Sequence, residues 1–250
     1  MLEKILETKK EEIAQLVLPE EQLVNHSSFY KALKNKKNEV ALIAEVKKAS
    51  PSKGIIKENF SPVNIAKEYE TGGADAVSVL TDEKYFQGNR EYIPLIKREI
   101  SIPVLRKDFL IDRSQVLESK RLGADAILLI AEALEPRKLQ ELYLFASELG
   151  LDCLVEVHSL QALEGILALF TPKIIGVNNR NLKTFEVTLQ QTEMMTSYIP
   201  EGSLFVSESG IFSHDDVIRV RKAGADAVLV GESLMRAETP GKGISALFGR

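Results

Sequence analysis

The sequence predicts an α/β fold, a single (β/α)8 TIM barrel with extra helices at its N-terminus. Three observations predict it. A pentapeptide recurs: Gly73-Ala74-Asp75-Ala76-Val77 returns as Gly123-Ala124-Asp125-Ala126-Ile127 and as Gly224-Ala225-Asp226-Ala227-Val228, with glycines 50 and then 101 residues apart. A helix, a strand and two short loops take about 25 residues, so these spacings are two and four such units. Short apolar, β-branched runs alternate with helical patterns along the chain, the mark of a parallel sheet. And 250 residues suit eight such units closed on themselves. An open doubly wound sheet is the alternative; the equal units and the lack of a Gly-x-Gly-x-x-Gly after the first strand count against it.

The elements follow in order. Residues 1–40 precede the first strand and form an N-terminal helical extension: Leu2, Ile5, Leu6, Ile13, Leu16 and Val17 have rough helical spacing, and 31–37 is a lysine-rich, solvated stretch. One or two helices capping a barrel end are expected. The strands are read at 41–46, 76–80, 103–106, 126–130, 153–157, 174–177, 204–207 and 227–230. Helical patterns lie between them at 63–71, 114–122, 136–149, 160–170 and 215–223. Ser61, ahead of Pro62, and Ser213 are N-cap candidates, and Pro136 suits a first helical turn. In each repeat the glycine ends a helix and the apolar run behind it opens a buried strand. No linker divides the chain, so 1–250 is expected to be one domain.

Hydrophobic residues make up 44% and charged residues 27% of the chain, which excludes a disordered or collagen-like protein. The net charge of -4 leaves no basic face for general nucleic-acid binding. Any anion must therefore be held locally, by a few lysines and backbone N–H groups. With one cysteine, Cys153, no intramolecular disulfide forms, which fits a reducing compartment. The N-terminus has no signal-peptide h-region, and the longest apolar stretch, 126–133 with Glu132 inside it, is far too short for a membrane span. A soluble cytoplasmic protein is expected.

In this architecture the chemistry sits at the C-terminal strand ends, and these are where charge appears abruptly: Glu45-Val46-Lys47, Arg106-Lys107-Asp108-Phe109, Glu156-Val157-His158, Asn178-Asn179-Arg180, Glu208-Ser209-Gly210 and Gly231-Glu232. Side chains alternate along a strand. If the face of Glu45 points inward, the mouth holds Glu45, Lys47, Lys107, Glu156, Asn178, Arg180 and Glu208. Such a mixed set compensates its own charge and can hold one acid and one base with separated pKa values. The bland alternative is a salt-bridge ring sealing the barrel. Glu132 obeys the same rule but is read as structural. Ser209-Gly210 and Gly231, after the seventh and eighth strands, lie where such barrels bind phosphate; otherwise they are plain turn residues. The loop 47–54 is long, basic and turn-rich, and reads as a mobile cover over the mouth. Its Ser50-x-x-Lys53 is no penicillin-binding motif, because no Lys-Thr-Gly accompanies it. Phe86 and Phe109 either pack in the core or face an aromatic ligand. His26, His158 and His214 have no metal-ligand spacing, so no zinc is expected, and Cys153 reads as core.

These segments resemble the indole-3-glycerol phosphate synthase family over essentially the whole chain. The resemblance is carried by 43–54 (Ile-Ala-Glu-Val-Lys-Lys-Ala-Ser-Pro-Ser-Lys-Gly), 79–88, Leu105-Arg106-Lys107-Asp108-Phe109, Leu154-Val155-Glu156-Val157-His158, Gly176-Val177-Asn178-Asn179-Arg180-Asn181-Leu182 and Val206-Ser207-Glu208-Ser209-Gly210-Ile211. It implies the substrate 1-(2-carboxyphenylamino)-1-deoxyribulose 5-phosphate, products indole-3-glycerol phosphate, carbon dioxide and water, and no metal or organic cofactor. It implies Lys107 as general acid in ring closure, Glu156 as stabiliser of positive charge on the ring, and Glu45 with Lys47 as an acid/base pair for dehydration. Which lysine donates in which step is left open by the motif. Asn178 and Arg180 would hold the substrate's carboxylate and hydroxyls, with Glu208 in support. Ser209, Gly210 and Gly231 would bind phosphate, and Phe86 and Phe109 would enclose the anthranilate ring. Asn178 and Ser209 count with the catalytic set, while Ser50, Leu229 and Glu232 complete the substrate-binding set. Where the family often has Pro-Tyr after Asp112, this chain has Arg113-Ser114, at the expected start of an outer helix.

With the chain stopping at Arg250, no fused isomerase domain is expected. A monomer is expected, with a small phosphorylated substrate as its partner and neither nucleic acid nor membrane. Two rivals share the phosphate loops: a sugar-phosphate isomerase such as phosphoribosylanthranilate isomerase, and a non-catalytic phosphate-binding barrel. The isomerase would not need the lysine-rich first loop or Lys107 beside Glu156, and the non-catalytic barrel predicts ligand binding without turnover.

Overall fold

The computed structural model describes residues 1–181, 184 and 186–250; Leu182, the last residue of one resemblance-bearing segment, lies outside them. Strands β1 (Ala41–Val46), β2 (Ala76–Leu80), β3 (Val104–Lys107), β4 (Ala126–Ile130), β5 (Asp152–Val157), β6 (Ile174–Asn178), β7 (Leu204–Glu208) and β8 (Ala227–Val230) pair in parallel as a closed barrel, β8 meeting β1. Three strands run one residue past the sequence-based bounds, so Lys107, Asn178 and Glu208 are the last residues of β3, β6 and β7. The apolar runs set the sequence-based bounds, while the backbone ladder continues one residue further into the polar rim.

The period-2 alternation sorts side chains into two shells. Ala41, Ile43, Ala76, Leu105, Leu128, Leu154, Val206 and Leu229 fill the barrel. Leu42, Ala44, Val77, Val104, Ile127, Val155, Ile175 and Val228 face the surrounding helices. By that count Glu45, Lys107, Glu156, Asn178 and Glu208 are inward residues at the upper ends of their strands.

The repeated pentapeptide is a device for strand register. Gly73, Gly123 and Gly224 have φ of 95, 89 and 103°, the left-handed turn that ends each helix. The aspartate two residues on caps the start of the neighbouring strand. Asp75 accepts from the Leu42 N–H at 2.8 Å, Asp125 from the Val104 N–H at 2.8 Å, and Asp226 from the Phe205 N–H at 2.9 Å. Each satisfies a backbone donor at the lower rim that would otherwise be buried and unpaired.

The outer helices Pro62–Gly72, Arg113–Arg121, Pro136–Glu148, Leu160–Leu167 and His214–Lys222 match the helical patterns, the fourth ending three residues early. Ser213 caps as expected, accepting from the Asp216 N–H, whereas Ser61 makes no side-chain cap. Periodicity missed the short helices Glu83–Phe86, Tyr92–Lys97, Gln190–Met195 and Glu232–Arg236, each under two turns. No helix among the described residues is long and apolar enough to cross a membrane.

The N-terminal extension departs most from expectation. It caps both ends of the barrel. Helix Phe29–Lys34 plugs the bottom, burying Phe29 and Leu33 against the inner core, worth about 1.5–3 kcal/mol for each side chain. Helix Leu2–Ala14 lies instead at the opposite mouth, where the strands end, and Val17, read as part of its apolar face, is 77% exposed. That helix docks through a charge. Lys9 is buried, and its Nζ lies 2.8 Å from Asp82 Oδ2 and 3.0 Å from Asp108 Oδ1. Burial alone would lower the Lys9 pKa, but Asp108 and Asp82 hold it above the ordinary lysine value. Asp82 also caps helix Glu83–Phe86 by accepting from the Tyr85 and Phe86 N–H groups, and Asp108 accepts from the Phe109 N–H. Lys9 therefore ties together the two loops that carry Phe86 and Phe109.

Replacing Lys9 by Met leaves two buried carboxylates short of a cation. Removing one member of a buried ion pair costs about 3–5 kcal/mol, so Lys9→Met should unfold at clearly lower denaturant than the wild type. An unchanged midpoint in a urea titration would show that Lys9 does not anchor the helix.

Candidate active site

All fifteen residues singled out from the sequence line one cavity at the C-terminal mouth: Glu45, Lys47, Ser50, Phe86, Lys107, Phe109, Glu156, Asn178, Arg180, Glu208, Ser209, Gly210, Leu229, Gly231 and Glu232. Met1, Leu2 and Ile5 from the N-terminal helix close part of its rim, and the Phe212 and His158 side chains complete it. Three features organise the cavity.

The first is a charge cluster on its floor. Lys107 Nζ lies 2.7 Å from Glu156 Oε2 and 3.4 Å from Glu208 Oε2. Burial by itself would lower the Lys107 pKa, but Glu156, Glu208 and Glu45 together raise it well above the ordinary lysine value. The two carboxyls diverge. Burial works to raise Glu156, yet Lys107 and then the hydrogen bond and charge of His158 hold it well below the usual carboxylate range. Glu208 is pushed well above that range, by burial first and the Glu156 charge second. Neither Glu208 carboxyl oxygen has a hydrogen-bond partner among the described residues. A buried acid with few donors around it holds its proton more tightly than one in water. The floor thus sets two carboxyls of opposite pKa tendency against one ammonium.

The second feature is the pair on β1. Lys47 Nζ sits 2.6 Å from Glu45 Oε1, because residues two apart on a strand share a face. Gly231, at the end of β8, makes room for this pair: a Cβ there would overlap the Glu45 carboxylate. The loop after β1 is not a bare turn but a small hairpin, Ala49–Ser50 against Gly54–Ile55, that brings Ser50 over the mouth.

The third is an aromatic wall beside a backbone cradle. The Phe86 and Phe109 rings are 6.2 Å apart, tilted at 39°, and both line the cavity. Of the two readings left open for them, the structure gives the one at the mouth. Ser209 and Gly210 have φ of 66 and 79°. For Ser209 this is a costly left-handed conformation, and its carbonyl is held there by the Asn179 side-chain amide at 3.0 Å. Gly231 N-caps the short helix Glu232–Arg236. Asn178 Oδ1 accepts from the Arg180 N–H at 3.0 Å, fixing the start of the loop that bears Arg180.

Two expectations need correction. His158, set aside because it has no metal-ligand spacing, sits inside the cavity with Nε2 2.8 Å from Glu156 Oε1. The signal that would have found it was the one used elsewhere: His158 is two residues beyond Glu156, as Lys47 is beyond Glu45. The N-terminal helix was read only as a cap, yet it supplies part of the rim. Its apolar pattern could not show this, because the docking contact is a lysine. Glu132 is structural, as read. It lies outside the cavity lining, and its Oε1 accepts from the His158 N–H at 2.8 Å. Cys153 is buried, and burial pushes its thiol pKa up, consistent with a core role.

Comparison with known proteins agrees with the geometry. Residues 2–247 match the family model for indole-3-glycerol phosphate synthase. A protein of Priestia megaterium named indole-3-glycerol phosphate synthase is 66% identical over 249 residues, covering 100% of this chain and 98% of the relative. One of the same name from Halalkalibacterium halodurans is 58% identical, covering 100% of this chain and 97% of the relative. Among solved structures, 3-hexulose-6-phosphate synthase superposes with a TM-score of 0.66 at 13% identity, covering 84% of this chain and 99% of that one. A chain of the tryptophan synthase a2b2 complex from Pyrococcus furiosus gives 0.63 at 15% identity, covering 86% and 100%. At these identities the two structures speak for the barrel alone.

The divergent carboxyls make a testable pair. Glu208, with its pKa raised, favours folding as the acid, a contribution lost as pH climbs through the raised value. Glu156, with its pKa lowered, favours folding as the anion, a contribution present above the ordinary carboxylate range and lost as pH falls below it. Glu208→Gln should therefore melt at or above the wild type, with the gap widening toward about pH 8. Glu156→Gln should melt below it, with the gap beginning to close only as pH falls below about 4, the ordinary glutamate value. Thermal melts across pH read this directly, and a lower melting point for Glu208→Gln at neutral pH would mean that Glu208 is ionised.

Proposed function

The chain belongs to the indole-3-glycerol phosphate synthase family, and from that premise we propose how its barrel mouth carries out the reaction. The substrate, 1-(2-carboxyphenylamino)-1-deoxyribulose 5-phosphate, undergoes ring closure, decarboxylation and dehydration to indole-3-glycerol phosphate. The observation that carries the assignment is Lys107, an ammonium wedged between a carboxylate and a buried acid on the cavity floor.

Ring closure joins the carboxylate-bearing carbon of the aromatic ring to the ketone carbon of the sugar chain. The ketone oxygen gathers negative charge and takes a proton from Lys107, becoming a hydroxyl. The ring, its aromaticity broken, carries positive charge delocalised to the aniline nitrogen. Glu156 stabilises that charge from the buried floor of the cavity, where a fixed carboxylate is worth more than in solution. Carbon dioxide then leaves, and the electron pair of the broken bond restores the aromatic ring. Dehydration removes the new hydroxyl as water with a proton from Lys47, while Glu45 takes a proton from the adjacent methylene carbon and the ring double bond forms. Glu45 and Lys47 end in the opposite protonation states, and one transfer across their 2.6 Å contact restores both. Lys107 is restored by the net proton the reaction consumes. Glu208, a neutral acid 3.4 Å away, is the near donor, refilled from solvent.

Binding follows the walls of the cavity. Phe86 and Phe109 enclose the anthranilate ring. Asn178 and Arg180 hold the carboxylate and hydroxyls. The backbone of Ser209, Gly210 and Gly231 takes the phosphate, with Ser50, Leu229 and Glu232 completing the contact surface. We place the enzyme in the cytoplasm as a single-domain monomer with no metal or organic cofactor.

The chain contains no Trp, so indole formation can be followed by fluorescence against a weak tyrosine background. Lys107→Ala should lower kcat by roughly 10²–10⁴-fold, the usual contribution of a positioned general acid, while circular dichroism and substrate binding persist. Turnover at the wild-type rate would remove Lys107 from the mechanism.

A further inference from the structure

His158 makes a polar contact through each ring nitrogen. Nε2 lies 2.8 Å from Glu156 Oε1, and Nδ1 lies 3.0 Å from the backbone carbonyl of Arg180. Both partners are acceptors. A neutral imidazole has one N–H, so in either tautomer one of these contacts would set lone pair against lone pair. The arrangement is satisfied when both nitrogens carry protons. The ring is held in place from outside as well: the His158 N–H donates to Glu132 at 2.8 Å, and its carbonyl accepts from Gln191 Nε2 at 3.0 Å.

From this geometry, and resting on the roles given above to Lys107 and Glu156, we propose that His158 is a positioning residue for the synthase reaction, an imidazolium that holds the Glu156 carboxylate ionised and aimed through the step in which Lys107 gives up its proton. Glu156 accepts from Lys107 on one oxygen and from His158 on the other. When Lys107 becomes a neutral amine, the buried carboxylate keeps one cationic partner, at the moment when positive charge appears on the substrate ring. Without His158, Glu156 would tend to take the proton itself and lose the charge that makes it useful. The other nitrogen couples this anchor to the strand end that carries Arg180, so the carboxylate and the binding loop keep a fixed spacing.

The charged groups facing the ring agree with its protonation. Glu156 from β5 and Glu132 after β4 favour its protonation, Lys107 from β3 opposes it, and Glu208 on β7 has its own pKa raised by burial. Burial lowers the imidazole pKa, but the hydrogen bond and charge of Glu156, followed by Glu132 and the Arg180 carbonyl, raise it to about 9.

Two measurements test this on the full-length protein. Nitrogen NMR of the free enzyme, compared with His158→Gln to assign the signals of the three histidines, should show the His158 ring doubly protonated at neutral pH. A singly protonated ring there overturns the proposal. In steady-state assays His158→Gln, which keeps a donor but no charge, should lower kcat by about tenfold to a hundredfold, the worth of a charge-assisted hydrogen bond. KM should change less, and the acidic limb of the kcat–pH profile should move up as Glu156 protonates more easily. A purely structural role predicts a lower melting temperature with unchanged kcat and pH profile, and that outcome also overturns it. The ring-proton count does not depend on turnover, so it separates failure of this proposal from failure of the Lys107 assignment, which Lys107→Ala tests.

Discussion

An ammonium or a carboxylate leaves water at low cost only beside an opposite charge, and that requirement organises the catalytic end of this barrel. Lys107, Glu156 and His158 form one chain of contacts across β3 and β5, and Glu45 and Lys47 form a second on β1. Glu208 is the member with too few partners, and burial with the Glu156 charge pushes its pKa up. How tightly each group holds its proton is therefore set by how many partners it has, on a scaffold that supplies all of them from strand ends.

The same principle holds the scaffold together away from the chemistry. At the lower rim Asp75, Asp125 and Asp226 pin the first N–H groups of neighbouring strands. Fixing register there sets the height of every residue at the upper rim, since a slip of one residue would turn the catalytic set outward. At the upper rim Lys9 does for two loops what the aspartates do for strands, drawing Asp82 and Asp108 onto one cation beneath Phe86 and Phe109. Arg106, one residue before Lys107, points out of the barrel into Glu118, Ser119 and Asp108. The strand that presents Lys107 is thus clamped from its other face. Polar contacts of this kind have defined geometry, and apolar packing alone would leave the rim less sharply placed.

The elements easiest to foresee were those with a strong local period. The strands and the long outer helices read directly, because alternation and helical spacing are imposed within a few residues. Short helices such as Glu83–Phe86 did not read, because one turn carries no period. The extension 1–40 read worst. Its first helix buries Ile5 of the expected apolar face but adds Thr8 and Lys9 to it, and a buried lysine is recognisable only once its carboxylates, more than 70 residues away in the chain, are in place.

By itself the sequence determined the eight-fold repeat, the inward face of each strand and hence which charges meet at one mouth, because strand alternation and helix-ending glycines are local rules. Only the tertiary structure decided how those charges divide their protons. Lys107 is shared between Glu156 and Glu208, His158 turns both nitrogens to acceptors, and Glu208 is left with only the longer Lys107 contact. A pKa is set by burial and by neighbours within a few ångströms, and in this barrel those neighbours come from five strand ends scattered across the chain.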